Sequence, residues 1–186
     1  MLRQSFIAIA AIGFVAGCDG VVVQDAPAPR GNYYEREFNH AAAKGAVLTI
    51  VAGNPFGGSQ EEFDSLVRKL MYGQNREQNA DFVAAASERT SPPYKVVVAF
   101  NTQGGTSADN MCANPAGLQT VPDQKRLRVS MAFCYGDVSK SDTSGYVNGV
   151  TGTGDPKFAS LIKQATYTML PPEGMTEYDR ASDNFR

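Results

Sequence analysis

At 186 residues, 42% apolar and 19% charged, the chain has the size and composition of one globular domain. A net charge of −2 and a pI near 5.4 exclude the broad basic surface of a nucleic-acid binder. The first element in chain order is an apolar run from Phe6 to Val15, preceded by Arg3 and followed by Ala16 and Gly17. That layout is a secretory signal peptide over residues 1–17, about half the length of the ~20 apolar residues a spanning helix requires.

The run ends Val15-Ala16-Gly17-Cys18, which resembles the lipobox of bacterial lipoproteins: an aliphatic residue, a small residue, Gly or Ala, then Cys. The resemblance implies a thioether-linked lipid on Cys18, cleavage before it, and a fatty acyl group such as palmitate on the new amine. The implied membrane partner is reached through the lipid anchor. Asp19 resembles the inner-membrane retention signal of enteric lipoproteins and tilts the expected location to the inner membrane, periplasm-facing. Removing residues 1–17 leaves 169 residues and two cysteines, Cys112 and Cys134. In an oxidising compartment such a pair forms a disulfide. No CxxC spacing is present and the one histidine, His40, is distant, so a redox pair or metal site is not expected, and no cofactor motif is found.

Residues 18–44, with Pro27, Pro29, Gly31 and mixed charge, read as a lipidated tether lifting the domain off the membrane. Tyr33, Tyr34 and Phe38 near its end are candidates for packing at the start of the fold or for a partner contact. A single α/β domain is then expected over 45–172, with a flexible tail over 173–186. Ala46 to Ala52 is a strand, apolar enough to be buried on both faces. The Asn54-Pro55-Phe56-Gly57-Gly58 turn leads to Ser59 and Glu62, a capping box opening a helix whose apolar face is Phe63, Leu66, Val67, Leu70 and Met71. Residues 74–93 read as a short helix or an extended edge segment. Tyr94 to Phe100 is a strand, and residues 101–124 a long loop carrying Cys112.

Leu127, Val129, Met131, Phe133 and Tyr135 alternate with more polar residues, a half-exposed strand antiparallel to its predecessor that sets Cys134 opposite the core. Residues 136–154 read as an exposed loop with a short strand at Tyr146-Val147. Asp155-Pro156 then caps a helix with the apolar face Phe158, Leu161, Ile162, Ala165 and Met169. These elements predict a two-layer α/β sandwich, a small mixed sheet with helices on one face. The strand–NPFGG–helix opening, the YKVVVAFN strand and the AFCYGD strand end resemble a family of uncharacterised proteobacterial envelope lipoproteins.

Catalytic residues are not indicated. The NPFGGS turn is neither GxGxxG nor a P-loop, and Glu61 and Glu62 in the following helical turn would repel phosphate. Adjacent on a helix, those two carboxylates diverge and cannot act as a facing acid–base pair. His40 has no serine-nucleophile motif to serve. The expectation is therefore a non-enzymatic accessory or binding protein of the envelope with a protein or cell-wall partner. The competing expectation is an envelope hydrolase built from loop carboxylates and hydroxyls near Gly57 and Gly152.

Overall fold

A computed structural model gives the fold and describes residues 20–24, 35–74, 79–121 and 125–170. Six strands among these residues form one open sheet: β1 (Val22–Gln24), β2 (Ala46–Ala52), β3 (Asp81–Val83), β4 (Tyr94–Phe100), β5 (Arg126–Tyr135) and β6 (Val138–Asn148). Their spatial order is β1-β6-β5-β4-β2-β3. The helices are α1 (Glu35–Ala42), α2 (Gln60–Met71), α3 (Ala108–Ala113) and α4 (Pro156–Met169). β2 runs parallel to both β3 and β4, and the remaining pairs are antiparallel. Parallel neighbours require a crossover, and α2 supplies it. The expected α/β class with a mixed sheet is therefore what the chain forms.

The stripes of α2 and α4 bury as their periodicity dictates. Phe63, Val67 and Met71 are buried on α2, and Phe158, Leu161, Ile162, Ala165 and Met169 on α4. Phe56, Phe63, Phe100 and Phe158 meet with ring centroids 5.0–6.2 Å apart, mostly edge to face. Thr166, fully buried on α4, satisfies its hydroxyl by donating to the Ile162 carbonyl at 2.8 Å. On β5 the alternation holds: Leu127, Val129, Met131 and Phe133 enter this main core, whereas Ala132 and Cys134 face the other way.

Four expectations need correction. Part of the stretch read as tether belongs to the domain: β1 pairs with β6, and α1 inserts a fully buried Phe38 edge-on to Phe133 at 5.5 Å. These elements are short, three and eight residues, so no periodicity announced them. The stretch read as an exposed loop is mostly β6. Its inward positions are Ser139, Ser141, Thr143, Gly145 and Val147, mostly small or polar but alternating with period two. Their hydroxyls are satisfied internally, Ser141 Oγ donating to the Met169 carbonyl at 2.7 Å and Thr143 Oγ1 to the Gln24 carbonyl at 2.8 Å. Gly145 admits the close approach of α4, since a Cβ there would stand 3.0 Å from Leu161 Cδ1 and from the Val22 carbonyl oxygen.

Third, the helices occupy both faces of the sheet, not the one face expected. α1, α2 and α4 cover one face, but α3 lies on the other, over Val97, Ala99, Ala132 and Cys134. β4 and β5 are central strands, so the disulfide pins the long loop over the middle of the sheet. β5 is consequently exposed only toward its two ends, at Arg128 and Tyr135; Ala132 and Cys134 between them are buried. Fourth, β2 is not buried on both faces: Val47 and Thr49 are buried on one, while Leu48 and Ile50 are half-buried on the other. Residues 81–83 supply the extended edge segment that was one of the two readings of that stretch.

Candidate functional site

The carboxyl ends of β2 and β4 open into a crevice of about 110 Å³ lined by Gly53, Asn54, Pro55, Phe100, Asn101, Thr120 and Val121. In open α/β sheets this is where ligands characteristically bind, because loops diverge there and leave backbone groups exposed. Gly53 has φ +81°, and a Cβ would meet Thr120 Cγ2 at 2.7 Å, so only glycine fits against that wall. Asn54 closes the turn on itself, its Oδ1 accepting from Phe56 N–H at 3.1 Å and its Nδ2 donating to the Gly57 carbonyl at 2.9 Å. The turn then delivers Ser59, whose Oγ accepts from Glu62 N–H at 3.3 Å as helix cap.

Asn101 is the most constrained residue of the crevice. It is buried, with 6% exposure, and holds φ +47°, where asparagine is the best tolerated residue after glycine. Three hydrogen bonds fix it: N–H to the Arg128 carbonyl at 3.0 Å, Oδ1 accepting from Arg128 N–H at 2.8 Å, and its carbonyl accepting from Val121 N–H at 2.6 Å. The Arg128 N–H fixes the amide orientation, leaving the buried Nδ2 as a donor without a partner among the described residues. A volume of this size holds a few waters or one small polar group, well below the ~300 Å³ of ordinary ligand pockets. The sequence offered one cue, an asparagine directly after a strand; Thr120 and Val121 carried none.

A second crevice of about 390 Å³ lies beside α3, lined by Gln103, Thr106, Asn110, Ala113, Asn114, Gly117, Leu118 and Gln119. Its chemistry is that of amides and a hydroxyl, suited to neutral polar partners. The neck of this excursion is clasped by the Thr102–Thr120 bridge and by Gln103 N–H donating to the Gln119 carbonyl at 3.0 Å. Its tip is held by the Cys112–Cys134 disulfide, Cα atoms 5.7 Å apart, as the cysteine count implied.

The other described residues singled out from sequence line neither crevice. Cys18, Tyr33 and Tyr34 lie outside the described residues, as do residues 173–186 of the tail. Glu61 and Glu62 are exposed on the first turn of α2. His40 is exposed on α1 and stands edge-on to Tyr94, centroids 5.8 Å apart. The glycine-rich residues 149–154 lead into α4, where Asp155 accepts from Lys157 N–H at 2.9 Å as N-cap. Among the described residues two titrating groups are displaced, both away from the crevices. Burial pushes the Asp64 carboxyl up, against the opposing pull of its Gln60 hydrogen bond and of Arg68. Burial also raises the Tyr94 phenol, reinforced by the negative charge of Glu37 and by Tyr135.

No family model matches the chain, and no curated protein matches it. Among solved structures it is similar to a leucine-to-methionine variant of the PelC dodecamer from Paraburkholderia phytofirmans, at 14% identity and a TM-score of 0.41. That match covers 80% of this chain and 97% of the other. A second crystal of the PelC dodecamer from the same organism matches at 12% identity and a TM-score of 0.36, covering 81% and 93%. A likeness at this level says nothing about activity or assembly.

Proposed function

We propose that the chain is a lipid-anchored, periplasm-facing protein of the cell envelope that acts as a non-enzymatic accessory or binding module for an envelope protein or cell-wall partner. The observation that carries this reading is the apolar run ending in Val15-Ala16-Gly17-Cys18 at the head of a domain whose two other cysteines are bonded to each other. A bonded pair fits an exported, oxidising setting, and one cysteine is then left for lipid. Three acyl chains would hold the protein almost permanently, because each buried methylene contributes about 0.8 kcal/mol. Asp19 favours the inner membrane. Both crevices offer amides, hydroxyls and apolar walls, groups that recognise a partner rather than cleave it.

The test is Cys18→Ala in the full-length chain, followed by membrane fractionation and intact mass. The wild type is expected in the membrane fraction with the mass of a diacylglyceryl and one acyl group on Cys18, and the variant unlipidated. A membrane-held product of unchanged mass from the variant overturns the reading. Crosslinking from native membranes then identifies the partner.

A further inference from the structure

β1 fixes how the domain stands on its anchor. Its register is Val22 opposite Tyr146, Val23 opposite Gly145 and Gln24 opposite Ser144, so the chain enters the sheet at the Asn148 end of β6 and runs toward the hairpin that joins β5 to β6. Val21 already packs against the main core. Three residue steps separate it from Cys18, a reach of about 10 Å at full extension. The entry end is also the end at which β2 and β4 finish, because Ala52 pairs with Ala99 and Phe100 with Val129. Gathered there are the turn after β2, Val121, and Lys125, whose carbonyl accepts from Gly149 N–H at 3.3 Å. Val121 is 51% exposed although apolar, and Lys125, four positions further along the chain, is exposed as well.

We propose that this end of the sheet, with Val121 and Lys125, rests on the lipid headgroups of the membrane that holds Cys18. The proposal deepens the anchored-lipoprotein reading and depends on it. An exposed valine and an exposed lysine at the same end of the sheet suit an interface that is apolar below and anionic above. The opposite end carries Tyr135 and Val138, 46% and 56% exposed, on the β5–β6 hairpin. Eight residue steps along β6 separate Val138 from Tyr146, a strand length of about 27 Å. With so short a leash the hairpin end stands out from the membrane, and its apolar surface is presented to the periplasm.

The chain has no tryptophan, so an introduced one reports alone. Val121→Trp and Val138→Trp are each made in the full-length, processed protein and reconstituted into phosphatidylethanolamine–phosphatidylglycerol vesicles with brominated acyl chains. Emission is excited where tyrosine does not absorb, and vesicle-bound protein is isolated by flotation. Tryptophan at 121 should lose most of its emission relative to unbrominated vesicles, and tryptophan at 138 should keep it. Protein that floats but shows equal quenching at both positions, quenching at 138 alone, or none, overturns the placement while leaving the anchor intact. Protein that does not float and carries an unmodified Cys18 overturns the anchor, and the placement falls with it.

Discussion

The two faces of the sheet are held by different physics. Among the described residues the face under α1, α2 and α4 gathers twenty-three buried apolar residues, and the face under α3 only six. The first includes Phe38, Phe63, Phe100, Phe133 and Phe158, whose area and ring contacts hold three helices without covalent help. The second is built from Val97, Ala99, Ala132, Met111 and the two cysteines, beneath a six-residue helix far too short to persist alone. There the disulfide supplies by chain entropy what the small core lacks in buried area. A face with aromatic volume assembles itself; a face of alanines needs a staple.

The sharpest way to break this contrast is Phe158→Ala. Phe158 is fully buried and touches Phe56, Phe63 and Phe100, so its loss should cost about 3–5 kcal/mol in urea unfolding of the oxidised protein. A loss under about 1 kcal/mol would mean the main face is loosely packed. Replacing both Cys112 and Cys134 by alanine should cost about 3 kcal/mol, with a local signature. The amides of Met111 and Ala113 should exchange rapidly, while those of Val96 and Val98 in β4 stay protected. Equal acceleration in both places would show that the two faces unfold as one.

Asn101 tests the seam between the faces. Asn101→Ala keeps φ +47° without the side-chain acceptor for Arg128 N–H, and should cost about 2 kcal/mol; Asn101→Gly relieves the backbone and should cost about 1 kcal/mol. If glycine destabilises more than alanine in thermal unfolding, backbone strain is not what selects asparagine here. The smallest effect is at the rim of the main face. The folded state holds the Tyr94 phenol above its ordinary value of 10.0, so folding disfavours the phenolate. That contribution is complete below the unfolded value and fades as pH rises through the folded one. Stability should therefore decline above about pH 10, and Tyr94→Phe should flatten the decline, as read by melting temperature across alkaline pH.

The same contrast explains what was legible. Phe63, Leu66, Val67, Leu70 and Met71 on α2, and the five apolar residues of α4, declare the main face because large side chains recur at helical spacing. The alternation of β5 also told which way Cys134 points, and the cysteine count gave its partner. Of β6 only Tyr146-Val147 was legible, because the inward residues before them are serines, a threonine and a glycine, and the burial of Ser141 and Thr143 rests on hydroxyl bonds to carbonyls distant in sequence. β1 and α1 were hidden by brevity. The crevice was hidden by topology: 53–55, 100–101 and 120–121 become neighbours only once β2, β4 and the clasped excursion are in place. Sequence spacing carries no trace of such convergence.

β1 also sets the order in which the molecule can finish. It is made first, yet its partner residues 144–146 are among the last of the sheet to be synthesised, and the bond from Thr143 Oγ1 to the Gln24 carbonyl bridges 119 positions. Every other strand pairing can form before this one closes. Until it does, the outer edge of β6 presents a row of unpaired N–H and C=O groups, the template on which strands of neighbouring chains add. Long-range closure of this kind is slow, so the interval is a real exposure for a newly made chain. The three residues Val22, Val23 and Gln24 thus act as a latch: the earliest piece of the domain to appear is the one that seals it against its own copies.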